Sequence, residues 1–155
     1  DYLDGGDGDD FAAGRYGDDL IYGGNDNDVL YGDDKADLTI SGNDTMYGGA
    51  GIDSIVGGRG NDVGYGGEGD DVFYFVNGTD GHDTIFGGNG DDTLNLTGGQ
   101  PMGPITGWLT LTSGSYSMGP GGTITLTGGA TGTIDLGNGH IIDITGVEHI
   151  KFGPN

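Results

Sequence analysis

Aspartates at positions 10, 19 and 28, and again at 53, 62 and 71, stand nine residues apart. Each sits behind a glycine-rich lead: GGDGDDFAA from Gly5, GRYGDDLIY from Gly14, GGNDNDVLY from Gly23, GGAGIDSIV from Gly48, GGRGNDVGY from Gly57, GGEGDDVFY from Gly66 and GGNGDDTLN from Gly87. Written as G-G-x-G-x-D-x-U-x with U apolar, the glycines permit positive φ and a close approach of carbonyl oxygens to a common centre. A ring of carbonyls becomes a site for a hard cation only when carboxylates supply charge and complete the shell. A lone Asp-Gly pair would suit an Asx turn equally well. Stacked copies favour calcium.

Two stretches leave the period. Between Asp28 and Asp53, GDDKADLTISGNDTMY reads as a degenerate copy centred on Asp37 followed by a short copy, SGNDTMY, centred on Asp44. Between Asp71 and Asp92 the strand lengthens to VFYFV, and NGTDGHDTIF supplies a further turn at Asp83. The candidate metal aspartates are therefore Asp10, Asp19, Asp28, Asp37, Asp44, Asp53, Asp62, Asp71, Asp83 and Asp92.

Nine residues leave room for a turn of about six and a strand of about three, too short for a helix. Such units stack into a solenoid in which each coil buries its neighbours' inner side chains. Ala12, Ile21, Leu30, Met46, Ile55, Phe73, Ile85 and Leu94, the eighth positions, should point inward, with Gly64 and Thr39 as weak members. Ninth positions then point outward.

Composition agrees with a cation-dependent chain. Of 155 residues 39 are glycine, none is cysteine, and the net charge is −21. Residues 1–97 hold 22 acids against three bases. Such a field repels phosphate backbones and anionic membranes, so nucleic acid is a poor partner. No window approaches the roughly 18 apolar residues of a membrane span, so no membrane insertion is expected. An opening Asp1 in place of Met suggests a processed or excised chain.

These copies resemble the repeat-in-toxin (RTX) family over residues 5 to 97. The resemblance implies an all-β fold, a right-handed parallel β-roll with two nonapeptides per coil and calcium between turns stacked on one edge. It further implies secretion through a type I channel and a bacterial chain that folds outside the cell. Turns then pair with their next-but-one neighbours: Asp10, Asp28, Asp44, Asp62 and Asp83 on one edge, Asp19, Asp37, Asp53, Asp71 and Asp92 on the other. Carbonyls of Gly6, Gly8, Gly49, Gly51, Gly58, Gly60, Gly67, Gly69, Gly88 and Gly90 complete the shells, and about seven or eight ions fit. GRYG at Gly14 and GNDN at Asn25 each lack a family glycine.

With that pairing, outward Tyr31, Tyr47, Tyr65 and Phe86 form a stripe, either an internal cross-strand ladder or a face for docking or self-association. Without a turn at Asp37 the register shifts and the stripe is mixed. From Gly98 the text changes to threonine alternating with apolar residues, as in WLTLT and TITLT, which predicts antiparallel hairpins. Residues 98–155 read as a β-rich cap on residues 1–97, with Trp108, Ile141, Ile144, Ile150 and Phe152 as a small core.

No H-E-x-x-H, cysteine or G-x-S-x-G motif is present, so no active site is read, and His82 is a turn spacer. Three readings follow. One is a calcium-driven folding module of a secreted protein; the others are a self-assembling or adhesive extracellular unit, and an accessory domain of a secreted hydrolase or polysaccharide-modifying enzyme.

Overall fold

A computed structural model describes residues 1–33, 41–76, 81–97, 104–137 and 139–152. The repeat region yields ten short strands: β1 (Tyr2–Asp7), β2 (Phe11–Arg15), β3 (Leu20–Asn25), β4 (Val29–Asp33), β5 (Thr45–Ala50), β6 (Ser54–Val56), β7 (Val63–Glu68), β8 (Val72–Val76), β9 (His82–Asn89) and β10 (Thr93–Thr97). Four more follow: β11 (Leu109–Met118), β12 (Ile124–Gly137), β13 (His140–Thr145) and β14 (His149–Phe152). Odd-numbered strands stack in parallel in the order β1-β3-β5-β7-β9, and even-numbered ones in the order β2-β4-β6-β8-β10. The result is a parallel β-roll whose turns line two edges.

The eighth positions face the interior as the alternation requires. Ile21, Leu30, Met46, Ile55, Phe73, Ile85 and Leu94 are fully buried, and Ala12 nearly so. Gly64 leaves a gap that the Phe73 ring fills, since a Cβ built there would lie 3.1 Å from its edge. Thr39 lies outside the described residues.

The terminal region departs from a purely antiparallel cap. β13 runs parallel to β9, and β14 parallel to β10, so residues 140–152 add another coil to the roll. β12 is antiparallel to both β13 and β14 and joins the two faces across the end, while β11 pairs with β12 as a hairpin. That closure protects strand backbone that would otherwise be left unpaired at an open end. The cap side chains do not form a core of their own. Trp108, Ile134, Ile142, Ile144 and Ile150 belong to one apolar cluster with Ile21 through Leu96. Ile142, rather than Ile141, is the buried member of its pair. Phe152 is partly buried and meets Trp108 edge-on at 5.6 Å between ring centroids.

Register corrects the expected pairing. β4 pairs with β6, and β3 with β5, so the text between Asp28 and Asp53 contributes one turn where two were expected. The physical reason is legible: GDDKADL lacks the glycines that a second closed turn needs, and Gly32–Asp33 and Ser41–Asp44 together serve as the halves of one turn. The outward stripe changes membership in consequence. Tyr22, Tyr47, Tyr65 and Phe86 stack with centroids 4.8, 4.6 and 4.8 Å apart and interplanar angles of 2° to 6°. Tyr31 instead stands on the opposite face, 5.6 Å from Phe11. The stripe is therefore not mixed by the shift, because Tyr22 takes the place of Tyr31. Ring spacing matches the strand spacing of about 4.8 Å, as in-register neighbours on parallel strands must.

Candidate metal centres

Each edge of the roll carries one column of aspartates. On the first, the backbone N–H of Asp10 donates to Oδ1 of Asp28 at 2.8 Å, that of Asp28 to Asp53 at 2.8 Å, that of Asp53 to Asp71 at 2.8 Å and that of Asp71 to Asp92 at 2.9 Å. The second runs from Asp19 to Asp44 at 2.9 Å, Asp44 to Asp62 at 2.9 Å and Asp62 to Asp83 at 3.0 Å. Asp44, Asp62 and Asp83 thus share a column with Asp19, and Asp53, Asp71 and Asp92 share one with Asp10. This reverses the pairing expected above the irregular stretch. Asp37 lies outside the described residues, and neither column leaves a rung for it between the aspartates named.

Oδ1 of Asp28, Asp44, Asp53, Asp62, Asp71, Asp83 and Asp92 is thus spent on the amide of the preceding coil. Oδ2 is buried without a partner in Asp10, Asp19, Asp28, Asp44, Asp53, Asp62, Asp71 and Asp92. A buried, unpaired carboxylate oxygen is costly enough that native interiors avoid it. Here eight occur in register. Burial, the leading cause, pushes the carboxyls up, and neighbouring carboxylates add to it against the single backbone hydrogen bond: Asp44 to about 7, Asp62 to about 8, Asp71 to about 7 and Asp92 to about 6. Asp28 and Asp53 are raised for the same first cause.

Backbone carbonyls enter the same space. A Cβ built on Gly23 would lie 2.7 Å from the Gly48 carbonyl oxygen, and one on Gly48 would lie 2.6 Å from that of Gly66. The same two Cβ positions collide with Oδ2 of Asp28 and Asp53 respectively. First-position glycine thus keeps open a cradle bounded by its own turn's carboxylate and the next coil's carbonyl. Gly6, Gly8, Gly49, Gly51, Gly58, Gly60, Gly67, Gly69, Gly88 and Gly90 all have positive φ, consistent with the turn that aims their carbonyls along the column. Arg15 (φ 83°) and Asp26 (φ 73°) hold the same left-handed region where the repeat departs from glycine. One carboxylate per level with several neutral oxygens is a donor set for a hard divalent cation of calcium's size and flexible coordination.

The columns end differently from how they run. At the last level of the second column, Nε2 of His140 stands 2.8 Å from Oδ2 of Asp83, with both side chains buried. On the first, Asp92 donates its N–H to Oε2 of Glu148 at 3.0 Å. His82 meets Asp143 at 2.8 Å and His149 meets Asp91 at 3.0 Å, so all three histidines sit at this one seam. Sequence reading passed over His140 and Glu148, because their partners lie 57 and 56 residues away in text that does not repeat.

The model of the RTX calcium-binding nonapeptide repeat matches residues 1–38, 39–73 and 75–100. No curated protein matches the chain. No helix among the described residues is long and apolar enough to cross a membrane. With the repeat model covering more than half of the sequence, over the coils that carry the two aspartate columns, the chain belongs to the RTX calcium-binding repeat family.

Proposed function

We propose that this chain is a calcium-driven folding module of a secreted bacterial protein, with residues 1–97 as the ion-binding roll and 98–155 as its capping region. The observation that carries the reading is the set of eight buried Oδ2 atoms without partners, aligned in two columns. One ion per such oxygen gives eight, with Asp10, Asp28, Asp53, Asp71 and Asp92 as carboxylate ligands on one edge and Asp19, Asp44 and Asp62 on the other. Asp83 was expected among the ligands, but His140 already occupies its second oxygen. Carbonyls of the turn glycines complete each shell.

Coupling of metal to fold follows from magnitudes. Extracellular calcium modules bind with dissociation constants of about 0.1 to 1 mM. At ten times Kd each independent site contributes about 1.4 kcal/mol, and eight contribute roughly 11, comparable to the whole stability of a domain. In a low-calcium cytosol the chain stays open, which suits passage through a type I secretion channel, and it folds on meeting calcium outside the cell. The role read here is non-catalytic.

The stacked rings of Tyr22, Tyr47, Tyr65 and Phe86 spend their faces on one another. They favour an internal ladder over an adhesive face. A calcium titration followed by circular dichroism, with ion stoichiometry by calorimetry, tests the proposal: cooperative gain of β signal with about eight ions supports it. A spectrum indifferent to both calcium and chelator overturns it.

A further inference from the structure

Asp33 lies outside the nonapeptide consensus. It occupies the second position of its turn, where Gly6, Gly24, Gly49, Gly67 and Gly88 stand on the other edge, and it pairs in register with Arg15. On that other edge the atom packed against each second-position glycine is the second-position carbonyl oxygen of the preceding coil: Gly24 on Gly49, Gly49 on Gly67, Gly67 on Gly88. At Gly58 the corresponding place is taken by the side chain of Asp33, whose Oδ2 would lie 2.6 Å from a Cβ built there. A carboxylate therefore stands where the other edge presents a carbonyl.

Its bonding repeats the signature of the column aspartates. Oδ2 accepts the backbone N–H of Arg59 from the adjacent coil at 2.7 Å. Oδ1 is buried without a partner, on a residue only 7% exposed. Among the described residues no ion pair joins Asp33 to the Arg59 guanidinium, and burial, which raises the carboxyl, outweighs the lowering by the Arg59 charge and by the amides of Arg59 and Gly42. Asp44 and Asp62 feel Asp33 as a charged neighbour, and Asp33 feels Asp19.

We propose that Asp33 is a calcium ligand in its own right, adding a second carboxylate to the level between the turns of Asp44 and Asp62 and making that level the highest-affinity ion site of the roll. The inference rests on the calcium reading above and deepens it. Charge count in the shell is the main lever on calcium affinity in oxygen-ligand sites. With Asp33 as a ligand, the level between the turns of Asp44 and Asp62 holds two carboxylates, Asp44 and Asp33.

Calorimetric calcium titrations of the whole chain test it with two variants, D33N and D33E. Asparagine keeps an acceptor for the Arg59 N–H but loses the charge, and glutamate keeps the charge on a longer arm. The proposal expects D33N to lose the tightest binding class, its first ion weakened about tenfold or more, with later ions unchanged, and D33E to stay closer to the wild type. If D33N fails to fold at any calcium level while D33E folds, the loss tracks charge and supports the same conclusion. A D33N isotherm that superimposes on the wild type, or both variants failing alike, overturns it and reduces Asp33 to an acceptor for Arg59. Wild-type protein that takes up no calcium would instead overturn the function proposed above, so the two failures are separable.

Discussion

The repeat coils and the terminal coil share a backbone and solve the same problem in two ways. Both stack strands in parallel and both bury apolar side chains at alternate strand positions. In the repeat coils the edge is lined by carboxylate oxygens that nothing among the described residues satisfies. In the terminal coil the partners are built in: His140 meets Asp83 and Glu148 meets the N–H of Asp92. On the function proposed above, dependence on a cation is then a property of the turn residues and ends where those residues end.

The most forceful way to break this comparison is to withdraw the metal. Chelation should abolish the β signal of the roll, a loss on the order of 11 kcal/mol if eight sites are emptied. Hydrogen exchange at limiting calcium should show protection in β12 and β13 outlasting that in β1 to β4.

Protons offer the next test, because they neutralise the same oxygens. The carboxyls of Asp44, Asp62, Asp71 and Asp92 are raised to about 7, 8, 7 and 6 in the fold. A group raised on folding binds its proton more tightly in the native state, so its contribution is fully present below the unfolded value of about 3.9 and is lost as pH climbs through the raised one. In chelator, lowering the pH from 8.5 toward 4.5 should therefore restore β structure, whereas in calcium the same change should weaken ion binding. Circular dichroism against pH in both media checks both signs; a metal-free chain more ordered at pH 8.5 than at 4.5 would contradict the electrostatic account.

Single substitutions then separate the two kinds of edge. His140→Ala strands Asp83 Oδ2 and should cost about 1–3 kcal/mol in denaturant unfolding. Asp62→Asn removes an ion ligand and should cost about 1.4 kcal/mol at ten times Kd, a deficit that grows as calcium is raised. The His140→Ala deficit should not grow in that way. The smallest effect sharpens the comparison from within the repeat: Arg15→Gly relieves a left-handed residue and should stabilise the holo form by about 0.5–1 kcal/mol, read as a raised midpoint in denaturant.

What could be seen in the text follows the same division. Aspartate spacing, inward Ile21 through Leu94 and the positive-φ glycines are consequences of a local period, and local periods are visible without a structure. The step from Asp28 to Asp53 was not, because SGNDTMY is too short for a full copy and only the ladder shows that it completes the turn begun at Gly32. That single missed join exchanged Tyr31 for Tyr22 at the head of the stripe and exchanged the later aspartates between columns. Asp33, His140 and Glu148 act through neighbours brought close only by stacking, so no spacing rule could have singled them out.

The rungs of each column are separated by 18, 25, 18 and 21 residues on one edge and by 25, 18 and 21 on the other. Alignment is thus set by which aspartate bonds to which amide, and the count of residues in between is free to vary. The extra residues of the longer steps fall between Asp33 and Asp44 and between Val76 and Asp83. Doubling the length of a connecting segment costs only about 0.6 kcal/mol. A guest peptide spliced there would hang from the roll like a tag from a ruler, leaving every graduation where it was.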